Sequence, residues 1–557
     1  MKLRKTWMWL AALFAVSVVL RTTLANLAMA SPMVFIDEQL YRALAQSLAD
    51  TGHVQFRMED TMHSYFLYSV VLAISFKARL IEHFYGIIFF INALLMSSAI
   101  FPTYLIARFY LRKRSALLVA TLSILIPSLF YSSLVMSENL LYPLLLWAVY
   151  FMFRTLRSGT WVDVLAMSVL IFLGYITRLE GLILLPLYFV LSGLRFLWEP
   201  SKRKQVVVQA LVVGLMTGIA MYLWQRSFVD GSYAQIKHGE LLAGPFIRAF
   251  FSNLSMALIA CLLVPGAFAM VEAYHRGRSQ RFEDRYLAFT AVGTLLAATF
   301  LSAYLETSTN DFRLHERYLF YCFPLILLLA VAYQQRKERN VWAGAGAVAI
   351  SLLLLLTMPK YLLVGKSINA ETPSLLVLKN LLKDPTLIVL ALSASALLLL
   401  ATALSKRFQN WLWPIVTVTF LLMTAGNYAG LYMNSAKQEP LIRESKEIAS
   451  AVKRTDRVLL ITPGIPDFKR YFMVQFWMPT SEVTIAYTGH QEPDGWRNKP
   501  LTVDAQGRLT GELTRVKYDK VLVMDPALRL QGKVAAQSVN MVLYDVKGQV
   551  IEVKLDK

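Results

Sequence analysis

Apolar runs close to 20 residues long recur from the N-terminus to about residue 433, the length that crosses the roughly 30 Å hydrocarbon core of a bilayer as a helix. The chain therefore reads as a mainly α, polytopic membrane protein. Its composition agrees: 56% of the 557 residues are apolar and 17% charged, with a mean hydropathy of +0.49. These values exclude a disordered chain, a collagen and most soluble enzymes. Hydropathy places helices near 7–30, 84–107, 115–136, 139–153, 162–177, 181–198, 206–225, 251–271, 286–304, 318–333, 341–358, 386–404 and 412–433, about 13 spans in all.

The formal charge of +20 would suit a nucleic-acid partner if it lined one surface. It is gathered instead in short segments between spans: Lys2–Lys5, Arg108–Arg114, Arg154–Arg157, Lys202–Lys204, Arg276–Arg285, Arg336–Arg339 and Lys406–Arg407. With the N-terminus inside, each falls on the cytoplasmic side, as the positive-inside rule requires. Most of the excess is topological, and no nucleic-acid partner is expected. Met1–Lys5, Trp7–Leu20 and Ala28-Met29-Ala30-Ser31 also read like a cleavable signal peptide. A retained first helix is the preferred reading, and both readings leave residue 31 outside.

This topology makes the cytoplasmic loops short, too short for a nucleotide-binding domain, and no Walker A or GxGxxG fingerprint stands between a strand and a helix. The larger loops, 31–83, 226–250, 305–317 and 359–385, face outward. Residues 1–436 form the membrane domain. Residues 437–557 have ordinary charge and read as a small extracytoplasmic α/β domain. Leu441–Arg454 has helical spacing, and Val458–Thr462, Thr484–Thr488, Lys520–Met524 and Met541–Val546 read as strands, with a hairpin return over Gln549–Val553. Cys261 and Cys322 lie in apolar segments and offer no disulfide framework.

Predicted helix interiors are largely free of charge, unlike an ion-coupled transport path. Unusual polar groups collect at the outer ends. Asp37-Glu38 open an interfacial amphipathic pattern with Leu40, Leu44 and Leu48 one turn apart. They suit helix capping, and equally a general base toward an acceptor hydroxyl. Ser137-Glu138-Asn139, Arg178-Leu179-Glu180-Gly181 and Asp311–Tyr318, with Arg313, His315, Glu316 and Arg317, fall on the same side. Arg178–Glu180 and Glu316–Arg317 could be structural ion pairs. Arginine is also suited to grip a phosphate through paired N–H donors. Asp37, Glu138, His315 and Glu316 could ligate a divalent cation, but their spacing is not that of a metal motif, so none is assigned and none is required. His53, His63 and His83 read as interfacial polar groups, and Tyr85, Trp161, Trp198 and Trp224 as belt anchors. Aromatic Phe468–Trp477 reads as packing within the outer domain.

With Asp37-Glu38 and Tyr41, the Ser-Glu-Asn turn, Arg-x-Glu-Gly at 178–181 and Glu-Arg-Tyr at 316–318, residues 1–435 resemble the GT-C glycosyltransferases. The nearest groups are the bacterial relatives of protein O-mannosyltransferases and of the lipid A aminoarabinose transferase. The Trp-Trp-Asp signature of oligosaccharyltransferases is absent. The resemblance implies a sugar donor on polyprenyl phosphate, reaction at the outer face of a bacterial inner membrane, and Asp37 or Glu38 as base. Tyr41, Glu138, Arg178, Glu180, Arg313, His315, Glu316 and Arg317 are then expected to bind substrate. Direct displacement would invert the anomeric centre, and a glycan, a lipid and a protein are all compatible acceptors. A transporter or flippase of a lipid-linked sugar, or a non-catalytic envelope assembly protein, stands as the alternative.

Overall fold

The computed structural model describes the chain except residues 1, 31, 34–35, 61–64, 78–82, 158, 228–242, 309–312, 337–339, 365–371, 464–467, 489–497, 526–527, 531, 550 and 556–557. His63, Asp311 and most of loop 226–250 thus lie outside the described residues. Each expected membrane segment is largely helical. Among the described residues nine helices are long and apolar enough to cross a membrane. Lys113–Ser123 and Pro127–Ser133 add a span broken by a 51° bend, and Trp161–Thr177, Phe320–Gln334 and Val341–Thr357 are shorter apolar helices.

Two expected spans are not straight, and proline accounts for both. In 115–136 the ring of Pro127 removes an N–H donor and holds Ile126 out of the helical region (ψ 140°). Carbonyls near the break must find donors without water. Arg21, buried on the first helix Lys2–Ala28, supplies them: Nη2 donates to Ile124 O at 2.7 Å and Nη1 to Leu129 O at 2.6 Å. The expected span 251–271 is two helices, Ala243–Ala260 and Val264–Gly277. Leu262 and Leu263 turn the chain between them at φ 60° and 57°, and Pro265 fits only the first turn of a new helix.

In the first loop, β1 (Gln55–Phe56) and β2 (Glu59–Asp60) form a small antiparallel pair. Beyond helix Leu412–Lys437 comes an α/β unit. Its strands are β3 (Val458–Thr462), β4 (Val483–Tyr487), β5 (Lys499–Pro500), β6 (Lys520–Val523), β7 (Leu528–Leu530), β8 (Lys533–Gln537), β9 (Val542–Asp545) and β10 (Val553–Leu555). The main sheet has the order β5-β4-β3-β6-β9-β8. β3 is parallel to β4 and β6, whereas β9 is antiparallel to β6 and β8. Period-two alternation sends Val458, Leu460 and Leu522 into one core and Leu459, Ile461 and Val521 into another. The first core is covered by helices Glu439–Ser450 and Phe468–Trp477, through Ile448, Tyr471, Phe472 and Val474. The expected hairpin over Gln549–Val553 does not form on β9. Lys547 and Gly548 do turn the chain, at φ 47° and 75°, but both edges of β9 are already paired, so β10 pairs with β7.

This unit grips the first-loop helix Ile36–Thr51. Arg42 and Gln46 donate to the carbonyls of Met478 and Pro479, and Arg454 Nε reaches Asp50 Oδ1 at 2.6 Å. Phe468–Trp477 does more than pack its own sheet. Phe476 and Trp477 also meet Phe84 of the membrane part, each with ring centroids 5.7 Å away.

Candidate active site

Four distant stretches meet here: the first turn of Ile36–Thr51, Ser137-Glu138 at the start of helix Glu138–Arg157, Arg178–Gly181, and the 3-10 turn Glu316–Tyr318. Arg178 is extended (φ −161°, ψ 154°) between helix Trp161–Thr177 and the turn Leu179–Ile183. The backbone folds back so closely that a Cβ on Gly181 would lie 2.1 Å from the Gly174 carbonyl carbon, which explains the glycine in the Arg-x-Glu-Gly stretch. Arg178 is buried, and each of its three guanidinium nitrogens donates. Nε donates to both Glu180 oxygens at 3.1 Å, Nη2 to Glu180 Oε1 at 2.9 Å, and Nη1 to Glu138 Oε1 at 2.9 Å. Nη1 also approaches Ser137 Oγ at 3.3 Å, and that hydroxyl donates to the Tyr41 hydroxyl at 2.8 Å.

Arg317 closes the cluster from the other side. Nη1 lies 3.2 Å from Asp37 Oδ2, Nη2 donates to the Tyr318 hydroxyl at 2.9 Å, and Nε is 4.0 Å from Glu138 Oε1. Glu138 thus stands between two arginines, and both guanidinium groups lie over the Tyr318 ring, at 5.5 and 5.0 Å. Exposure separates the members: the Asp37 side chain is 38% exposed and Arg317 13%, whereas Glu138 is fully buried.

The structure parts the two neighbouring carboxylates of the first loop. Successive helical side chains diverge by about 100°. Asp37 faces Arg317, while Glu38 is buried and accepts the Met33 N–H at 2.9 Å and the Val135 N–H at 3.1 Å. Glu38 thus ties the chain before its helix to the Val135 segment, and neither bond is to an N–H of its own helix's first turn. The ion pair considered for Arg178–Glu180 forms. That considered for Glu316–Arg317 does not, because Glu316 turns away to accept from Ser128 Oγ, from Ser374 Oγ at 2.8 Å and from Ser374 N–H at 2.9 Å. His315 is buried with its ring 5.2 Å from Tyr318, and its backbone N–H meets Asn253 Oδ1 at 3.4 Å. Arg313 is partly buried on the approach to it. Among the described residues no three His, Cys, Asp or Glu side chains are grouped to hold a metal; Asp37, Glu138 and Glu316 point to arginines and serines instead.

Ser128 and Ser374 carry no sequence signal, coming from segments 188 and 58 residues distant from Glu316. Burial pushes the Glu316 carboxyl up to about 7, against the hydrogen bonds that favour its charged form. A carboxyl raised on folding contributes stability fully below its unfolded pKa, and loses it as pH rises through about 7. Glu316→Gln keeps the shape, and serine hydroxyls can accept from its amide while its oxygen accepts the Ser374 N–H. Between pH 5 and 8, wild type should therefore lose on the order of 2 kcal/mol more stability than this variant. Melting curves in detergent at both pH values check it; identical slopes would show that Glu316 stays ionised throughout.

No family model and no curated protein matches the sequence. Solved structures match the fold. ArnT from Cupriavidus metallidurans bound to undecaprenyl phosphate aligns with a TM-score of 0.59 and 14% identity, over 98% of this chain and 98% of that one. The apo form of the same protein gives 0.59 and 14%, over 98% and 97%. The fold of this chain, membrane helices and α/β unit together, is shared with ArnT, and the expected mainly α membrane architecture with a small α/β unit holds. An oligosaccharyltransferase from Archaeoglobus fulgidus aligns at 13% identity with a TM-score of 0.43, over 84% of this chain and 64% of that one.

Proposed function

We propose that the chain is an inverting glycosyltransferase that moves a sugar from a polyprenyl-phosphate donor to an acceptor hydroxyl at the outer face of a bacterial inner membrane. The observation behind this reading is the pair of partly exposed Asp37 and Arg317 at 3.2 Å, held by a buried Glu138–Arg178–Glu180 network. One member can take a proton and the other can hold a phosphate, side by side. The likeness in fold to ArnT, captured with undecaprenyl phosphate, supports the donor class.

The acceptor oxygen attacks the anomeric carbon, and its proton passes to Asp37. The bond from that carbon to the phosphate oxygen breaks, and its electron pair leaves with polyprenyl phosphate. A phosphate is already a good leaving group, so cations matter more than a strong acid. While the ion pair stands, Asp37 Oδ2 is occupied. An arriving phosphate competes for Arg317 through paired, charge-assisted hydrogen bonds, and so frees the base as the donor binds. Arg178 and Glu38 act as positioning residues, and Tyr318 carries both guanidinium groups. We place the domain boundary at 436/437, with the second domain outside the cytoplasm, because the basic segments require it.

Purified protein supplied with a radiolabelled polyprenyl-phosphate sugar and a panel of glycan, lipid and peptide acceptors tests the reading. Label should move to an acceptor as lipid phosphate is released. Translocation of intact donor in vesicles, without bond cleavage, would make the chain a transporter; neither event would leave an assembly role.

A further inference from the structure

At the far end of the bundle lies a second concentration of arginine. Helix Glu138–Arg157 has 20 residues and so spans about 30 Å, with Glu138 of the candidate active site at one end and Arg157 at the other. Around Arg157 is a cavity of about 750 Å³. Arg112, Arg157, Arg276, Arg281 and Arg336 converge on it from four separate segments, Arg276 and Arg281 sharing one.

A buried carboxylate builds its floor. Glu272 accepts from Arg276 Nε at 2.7 Å through Oε1 and from Arg336 Nε through Oε2. Asp284 takes the other arm of Arg276. These anions are thereby used up. Arg112, Arg157 and Arg281 have no carboxylate partner among the described residues, and Glu283 is the one acidic side chain of the lining left to oppose them. The wall is partly apolar, through Phe109 and Leu111. Arg157 is held 4.8 Å over the Phe109 ring and Arg276 5.5 Å over the Tyr110 ring. The Tyr110 hydroxyl is buried with no hydrogen-bond partner among the described residues. Positive-inside charge needs only exposed side chains on loops. It does not require a concave site with a buried anion orienting two guanidinium groups.

We propose that this cavity binds the phosphate of an anionic phospholipid head group from the leaflet opposite the candidate active site, with Arg112, Arg157 and Arg281 as its cationic contacts. Guanidinium groups suit phosphate oxygens, the apolar wall suits the glycerol and first acyl carbons, and basic pockets between membrane helices bind such lipids. This assignment is independent of the transferase reading, and its test does not use activity.

Full-length protein in neutral detergent is titrated with cardiolipin, phosphatidylglycerol, phosphatidylcholine or inorganic pyrophosphate, and binding is read by native mass spectrometry and thermal shift. Cardiolipin and phosphatidylglycerol should bind and raise the melting temperature; phosphatidylcholine should not. The triple variant Arg112→Gln, Arg157→Gln, Arg281→Gln should bind anionic lipid roughly a hundredfold more weakly, from the worth of each cation near a charged lipid. A control with Lys202, Lys204 and Arg407 changed to Gln, outside this cavity, should bind as wild type does. Equal losses in both variants, or no preference for anionic lipid, would overturn the proposal. Binding of pyrophosphate as tight as that of lipid would overturn the lipid source and leave a soluble phosphate ligand. If the triple variant fails to fold, Arg112→Gln alone and the salt dependence of wild-type binding serve instead; affinity insensitive to salt would overturn it.

Discussion

Asp37→Asn is expected to lower turnover by about 10²–10⁴ while expression and melting temperature stay close to wild type. Asparagine keeps the size of the side chain, and its carbonyl oxygen can still accept from Arg317 Nη1, now 3.2 Å from Asp37 Oδ2. Both are good residues for a helix start. The lost ion pair is partly exposed, so its removal costs roughly 0–1 kcal/mol. What asparagine cannot do is take a proton. Glu38→Gln is the discriminating partner. Glu38 accepts one backbone N–H on each oxygen, from Met33 and Val135, and a glutamine has a single acceptor oxygen. One buried donor would then face an amide donor, at a cost of about 1–3 kcal/mol. Glu38→Gln should therefore melt lower and lose activity less, with no change in the pH dependence of turnover. Asp37→Asn should abolish the acid limb of that profile. An Asp37→Asn enzyme with full turnover, whatever Glu38→Gln does, would remove Asp37 from the chemistry.

Much of the architecture could be read in advance, because its cause is local. Apolar runs of membrane length and basic segments at alternate ends leave few arrangements for a helical bundle. What escaped has non-local causes. The break at Pro127 was visible as a proline, but that Arg21 would cross from another helix to serve Ile124 O and Leu129 O was not. Strand β9 read correctly as a strand, yet the fate of the segment after it depended on which edges of the sheet were free. At the candidate site, the charged residues stood out because charge is rare at that depth. Their pairing did not. Neighbours in sequence, Asp37-Glu38 and Glu316-Arg317, serve opposite purposes, because consecutive side chains on a helical turn cannot share a target. Gly181 stood out only as part of a motif; the reason for it, contact with the Gly174 backbone, requires the fold.

Arg178 and Arg317 look equivalent in sequence and should behave in opposite ways. Arg178 is turned inward: all three of its guanidinium nitrogens donate to Glu180, Glu138 or Ser137, and only 5% of the residue is exposed. Arg178→Met leaves Glu180 buried without its cation and Glu138 with only Arg317, 4.0 Å away, and breaking a buried pair in this way costs about 3–5 kcal/mol. The variant should accumulate poorly or melt far below wild type. Adding Glu138→Gln and Glu180→Gln removes the stranded charges and should restore much of that stability, since a neutral replacement for a buried ion cluster is often tolerated. Arg317→Ala should fold, because Glu138 keeps Arg178 and Asp37 is open to water. Its defect should lie in donor use. Losing one charge-assisted phosphate contact costs roughly 1.5–3 kcal/mol, a fall of about one to two orders of magnitude in kcat/KM for the lipid donor. Because Asp37 is then released without a phosphate to displace Arg317, kcat at saturating donor should fall less than kcat/KM. Normal donor kinetics in Arg317→Ala would move the phosphate contact to another residue. A stable Arg178→Met protein that has lost only donor affinity would show that Arg178, despite its buried carboxylates, is the residue that meets the phosphate.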